Sequence, residues 1–248
     1  MPLVDETIEA VAGRLQERGD ALAPDQSHLR IFLNTYRRTT LAVGEAVEEA
    51  RFEDPEWVRA WDVAFAELYL DALDANLSGE RVPRPWRLAF DAPADLPALR
   101  QVLLGINAHV NYDLPQSLLA VITDEQFTDE VLMDRRRRDH ERIDGVLASR
   151  VAAEDSELKS TGVASILDTA LTPLNRLGTK RFLREARLKV WHNTVELQQA
   201  RLAGPAAYQS RLAELEVLSA ARIADLLAPG QVLLRLAVAG FGVVLPPL

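Results

Sequence analysis

Apolar positions recur along this chain at three- and four-residue steps, the spacing that places side chains on one face of an α-helix. Val4, Ile8, Val11 and Leu15 form the first such run, and Gly19 reads as its stop. Leu29, Phe32, Leu33, Tyr36 and Val43 carry the pattern into a second helix. Asp54-Pro55 supplies an N-cap followed by proline at the first helical position, which opens a third helix through Trp57, Trp61, Phe65 and Leu68. Residues 79–95 hold Gly79, Pro83, Pro85 and Pro93 and read as a loop. A fourth helix begins near Asp95 and runs through Leu99, Leu103 and Ile106. Pro115 should kink or end it, because proline removes an i→i−4 hydrogen bond.

Three more helices are predicted, over 129–153, 180–202 and from Pro205 to Leu227, with 154–178 a looser connection. The stretch from Val232 to Leu248 is apolar except for Arg235 and is broken by Gly240, Gly242 and Pro246-Pro247. It reads as a buried C-terminal helix and tail. A peripheral membrane anchor is the alternative, since the stretch is short for a bilayer span. No useful β alternation and no repeat occurs. The pattern therefore predicts one all-α domain over residues 1–248, a multi-helix bundle of about seven to nine helices.

Composition narrows what such a bundle could do. Apolar residues make up 48% of the chain, enough for a sizeable core, while aromatics are only 6%. The net charge of −9 argues against a general nucleic-acid binder, which needs a basic footprint. There is no cysteine, so disulfides, thiolate metal sites and a cysteine nucleophile are excluded. The N-terminus, Met1 to Glu6, has neither the basic region nor the apolar core of a signal peptide. No Gly-rich phosphate loop, nucleophile elbow or dinucleotide fingerprint is present.

The pattern that carries chemistry lies in the histidines. Three of the four have an acid four residues on: His109 with Asp113, His140 with Asp144, and His192 with Glu196. On a helix, residues i and i+4 lie one above the other, so an imidazole and a carboxylate at that spacing can share one cation. Each pair also sits on an apolar stripe. His109 aligns with Val102, Gly105, Ile106 and Tyr112, His140 with Met133, Ile143 and Leu147, and His192 with Leu188 and Val195. An acid on such a stripe is costly unless paired or metal-bound. If the three helices converge, six ligands are available to a divalent metal. The plainer alternatives are a metal-free polar cluster or three unrelated ion pairs. His28 lacks such a partner and reads as a helix-start residue.

Other residues are candidates of lesser weight. Asp62 sits in an apolar helical stretch and could be a further ligand, contact substrate or be capped. Asn107, Asn111 and Asn193 flank the histidines and could orient or bind substrate or be polar filler. Tyr112 could donate a proton or simply pack. Arg135 to Arg138 read as a solvated helix face, with Arg136, in line with His140, able to reach an anionic substrate group. Arg184, Arg187 and Lys189, ahead of His192, allow the same reading.

Four segments resemble a known group: residues 105–115 (Gly-Ile-Asn-Ala-His-Val-Asn-Tyr-Asp-Leu-Pro), 137–144 (Arg-Arg-Asp-His-Glu-Arg-Ile-Asp), 182–187 with 190–194, and 229–236. Together they are similar to an uncharacterised actinobacterial domain-of-unknown-function family, a resemblance that implies a cytoplasmic one-domain protein. More distantly, Leu104 to Asp113 resembles the metal-binding helix of zinc-dependent phospholipases C and single-strand nucleases. That likeness implies His109, Asp113, His140 and Asp144 as metal ligands.

The leading expectation is a metal-dependent helical hydrolase of a phosphoester or lipid-like small molecule. Zinc, iron or manganese would be held by His109, Asp113, His140, Asp144, His192 and Glu196. His109, His140 and Asp113 would be catalytic, while Asn111, Tyr112, Arg136, Asn193 and Asp62 would contact the substrate. The alternatives are a metal-free small-molecule binding protein with a His–acid polar pocket, a di-iron oxidase, and a helical interaction protein that docks through its C-terminal apolar segment.

Overall fold

The computed structural model describes residues 7–160 and 173–228, with side chains described except for Leu99, Asp144, 147–160 and 173–187. Among these residues every regular element is helical. The helices are α1 (Ile8–Ala21), α2 (Leu29–Glu48), α3 (Pro55–Leu77), α4 (Arg84–Phe90), α5 (Ala98–Ala108), α6 (Leu114–Val121), α7 (Glu130–Ser160), α8 (Pro173–Ala203) and α9 (Pro205–Leu227). The protein is an all-α bundle, as the apolar spacing predicts. The expected eighth helix and the membrane-anchor alternative fall on 232–248, outside the described residues. No described helix is long and apolar enough to cross a membrane.

Local chemistry accounts for most boundaries. The Thr7 hydroxyl accepts the Ala10 N–H and caps α1. Asp54 does the same for α3, accepting the Trp57 N–H at 3.1 Å, with Pro55 at the first helical position. Gly19 does not stop α1 as expected. It lies inside the helix and lets α2 approach, since a Cβ there would stand 3.1 Å from Leu33 Cδ2. The 79–95 loop also needs correcting. Pro83 and Pro85 sit at the start of α4, where a missing N–H costs nothing, and α4 buries Trp86. The looser connection expected over 154–178 is helical at both ends, where α7 runs to Ser160 and α8 begins at Pro173.

Pro115 stands at the second position of α6, just after an interruption of the α-helical pattern. Between α5 and α6 the chain opens into a π turn over His109–Asp113, and the Leu114 N–H reaches back five residues to the His109 carbonyl. Proline at 115 cannot donate to the carbonyl four residues back and would collide with it in a tight α turn. The wider turn just before it removes that conflict. Single π turns of this kind are frequent at functional sites.

α3 is the axis of the bundle. Its Val63, Ala66, Tyr69, Leu70 and Leu73 enter one apolar cluster with Val11 and Leu15 of α1, Phe32 and Tyr36 of α2, Trp86 of α4 and Leu104 of α5. Its Trp57, Val58 and Trp61 enter a second with Leu118 of α6, Ile143 of α7 and Val190 of α8. A third, smaller cluster joins Tyr112, Leu119, Leu197 and Leu215.

The arginine run on α7 is not a freely solvated face. Arg136 is buried, donates to Asp54 at 2.7 Å and lies 4.6 Å above the Trp57 ring. Arg138 and Arg142 both pair with Glu53, and Arg137 with Asp134. Between them Asp139, fully buried, accepts the backbone N–H groups of Glu53 and Asp54 at 2.8 Å each. The run therefore clamps the loop that starts α3. Arg136 thus has one edge on Asp54 and one face over Trp57.

Gly105 of α5 permits the closest approach in the first core. A Cβ there would lie 2.3 Å from the Phe32 ring. Gly105→Ala should therefore destabilise the fold by about 1–3 kcal/mol through overpacking. Gly13→Ala, where a Cβ would meet nothing within 4 Å, should stabilise α1 by about 0.5–1 kcal/mol. Chemical denaturation of both variants beside wild type checks the pair, and a neutral Gly105→Ala would remove the argument.

Candidate functional site

His109 is 2% exposed and its ring is enclosed by other rings. Phe65 of α3 stacks on it with centroids 3.5 Å apart and planes 5° from parallel. Tyr36 of α2 meets it edge-on at 4.4 Å, while Trp86, Tyr69 and Phe32 lie at 5.7, 5.9 and 6.2 Å. His109 Nδ1 is 2.9 Å from Asp113 Oδ2, and the Trp86 indole N–H donates to that same oxygen at 2.7 Å. With the carboxylate ionised, Nδ1 carries the imidazole proton and Nε2 presents a lone pair. Nε2 is buried and has no hydrogen-bond partner among the described residues. Burial pushes both groups toward their uncharged forms: it lowers the His109 pKa and raises that of Asp113, against their mutual hydrogen bond.

A second buried acid acts on Tyr36, the ring that meets His109 edge-on. Asp62 is 8% exposed in the middle of α3, its Oδ2 buried without a partner, and burial raises its pKa to about 8. Tyr36 feels both carboxylates: its hydroxyl pKa is raised well above the usual value by burial first and then by the charges of Asp62 and Asp113. The Thr40 hydroxyl beside Tyr36 opposes that rise, yet neither oxygen reaches hydrogen-bond geometry. The Tyr69 hydroxyl is likewise buried and unpartnered. Buried polar atoms are normally satisfied, so this concentration of unmet groups marks the region as chemically unusual.

The enclosure has an outer side. A half-open cleft of about 20 Å³ lies between α2, α4 and α5. Phe32, Tyr69, Trp86 and Phe90 wall it, with His28 and Gln101 supplying its polar groups. Phe32, Tyr69 and Trp86 thus face the cleft and the His109 ring together. His28 stands at the start of α2, as its position suggested, and its Nε2 is 3.2 Å from the Phe90 carbonyl. The Gln101 amide nitrogen donates to the Pro93 carbonyl at 2.8 Å.

The other two histidines do not join this centre. His140 is buried between Trp61 and Trp191, at 5.4 and 5.7 Å, in the second core. The Asp144 side chain lies outside the described set. The expected inward stripe of His192 fails. The His192 side chain is 70% exposed, Leu188 beside it is 55% exposed, and the ring sits 3.9 Å from a partly exposed Glu196. Two apolar neighbours were too few to define a buried face. The exposed His192 pair therefore does not join the buried His109–Asp113 pair, and among the described residues no three His, Asp or Glu side chains gather where one cation could bind them.

The remaining candidates have local duties. Asn111 donates to Asn107, which donates to the Leu103 carbonyl. Asn193 accepts from Arg211 and ties α8 to α9. Tyr112 turns into the third core. Arg184 and Arg187 lie in the part of α8 whose side chains are not described. Sequence reasoning missed Trp86, Tyr36, Tyr69 and Gln101. A tryptophan directly after Pro83-Arg84-Pro85 was the one available signal, because a buried indole N–H needs an acceptor.

Among comparisons with known proteins, one family model matches residues 8–229: DUF5995, a family of unknown function. Neither a curated protein nor a solved structure matches the chain.

Asp62 gives a pH test of the site. A carboxyl whose folded pKa is raised binds its proton more tightly in the folded state. Its contribution is complete below the unfolded value near 4 and is lost as pH rises toward about 8. Asp62→Asn should therefore gain stability over wild type by about 1.4 kcal/mol per pH unit between pH 5 and 8. Urea denaturation at pH 5, 6, 7 and 8 measures the difference between the two proteins, cancelling the opposite drift from His109. A difference independent of pH would mean that Asp62 ionises normally.

Proposed function

The chain belongs to DUF5995, and we propose that it is a metal-independent small-molecule binding protein whose ligand site is the aromatic cleft backed by His109. One observation carries this reading. A buried His109–Asp113–Trp86 network holds the inner wall of a half-open cleft whose other walls are aromatic. Small-molecule sites are commonly apolar concavities with a few fixed polar groups, and this place in the fold combines both.

The network has a definite task in such a site. Asp113 accepts from Trp86 and so fixes the indole that forms a wall of the cleft. His109 shares the load on that carboxylate and fills the space behind the wall. A ligand entering from the His28 and Gln101 side meets Phe32, Tyr69 and Trp86 before it meets the imidazole.

The metal-dependent hydrolase remains a second reading on one observation. An imidazole whose Nδ1 is held by a carboxylate and whose Nε2 is free of protein partners is oriented as metal-ligating histidines are. Against it stands the solvent exposure of His192.

Two measurements on protein purified without chelators or a metal-affinity tag decide between the readings. Elemental analysis should find far less than one metal per chain in wild type, His109→Ala and His140→Ala alike. Titrations of small amine, alcohol, phenol and carboxylate fragments should shift the Trp86 indole signal saturably in ¹⁵N-labelled wild type, and His109→Ala should weaken that binding by about tenfold or more. Near-stoichiometric metal that disappears with either histidine would overturn the binding reading in favour of the metal enzyme.

A further inference from the structure

The polar groups of the cleft are spent unevenly, and that unevenness selects a ligand. Gln101 is buried, and its amide nitrogen, the donating end, is committed to the Pro93 carbonyl. Its carbonyl oxygen is left as an acceptor. A carbonyl only accepts, so the bond between His28 Nε2 and the Phe90 carbonyl places a proton on Nε2. Nδ1 of the neutral ring is then an acceptor, and it is buried without a partner. The Tyr69 hydroxyl, also unpartnered, can accept as well. Among the described residues no arginine or lysine lines the cleft.

The walls agree with the polar groups. Phe32, Tyr69, Trp86 and Phe90 bring four aromatic rings, each rich in π density, to the lining of the cleft. The Trp86 N–H donates to Asp113 Oδ2, so an acceptor holds that indole from behind. Aromatic faces with acceptors at the mouth and an acid at the back are the surroundings that stabilise a cation.

We propose that the cleft binds the ammonium head of an organic amine, the tail leaving between His28 and Gln101. This rests on the reading of the cleft as a ligand site. The volume of about 20 Å³ suits a head the size of a water molecule, which a primary ammonium is. Such a head is all donor, with three N–H groups for three acceptors and a charge for the rings. An alcohol head offers one donor and no charge. A carboxylate or phosphate is larger and would meet acceptors and π faces.

Titrating the ¹⁵N-labelled full chain at pH 7 with n-butylamine, n-butanol and butyrate tests the assignment, since the three share one tail. The Trp86 indole resonance, identified as the signal lost in Trp86→Phe, is the reporter among the four tryptophans. Butylammonium should shift it saturably and bind about tenfold or more tighter than butanol, and butyrate should leave it unmoved. Phe90→Leu, which keeps the wall apolar but removes one aromatic ring, should weaken the amine several-fold and weaken it more than butanol. Butanol or butyrate binding as tightly as the amine would overturn the cationic assignment while the cleft stands as a ligand site. If none of the three moves the Trp86 signal, the assignment and the ligand-site reading fail together. A Phe90→Leu protein that melts like wild type yet holds the amine equally well would overturn the role of the aromatic faces.

Discussion

A carboxylate enclosed by aromatic rings persists only where donors replace the water it has lost, and at Asp113 two do. One is His109, a turn earlier in the same helical stretch, and the other is Trp86 from α4. These two bonds tie a short, proline-started helix to the long α5–α6 segment. They set which nitrogen of His109 holds a proton, and they fix the indole plane that walls the cleft. Without Asp113, Trp86 would bury an unmet N–H and the imidazole would have no preferred tautomer.

That arrangement needs room, and the backbone provides it in two places. The π turn at His109–Asp113 resolves the conflict that Pro115 would create in a regular helix. It also brings the imidazole and its carboxylate into the core together, before the chain resumes as α6. Gly105, one turn earlier, lets Phe32 sit against the α5 backbone. Rings from α2, α3 and α4 can then close around His109.

The helices were legible because apolar spacing is a property of each segment by itself. For the same reason the His109–Asp113 pair was legible, since the spacing joins two residues of one turn. Convergence of three pairs was not, because it depends on packing between segments. The His192 stripe contained only Leu188 and Val195, and Leu188 turned out to be exposed. Trp86 was hidden by the proline content of 79–95, which reads as loop although prolines at helix starts are compatible with a helix. Asp139 was hidden inside a charge run whose usual meaning is a solvated face. Its partners are backbone N–H groups 85 and 86 residues away, a contact no local pattern encodes.

Three acids are buried among the described residues, and they solve one electrostatic problem in different ways. Asp139 takes two backbone N–H groups and Arg142, and so secures the loop from which α3 starts. Asp113 takes an imidazole and an indole, and so secures the wall that faces α3 across the first core. Asp62 lies on α3 between them, and burial holds it protonated to about pH 8 instead of supplying donors. A structural acid gains nothing from this, because asparagine would fill the space without the cost of desolvating a charge.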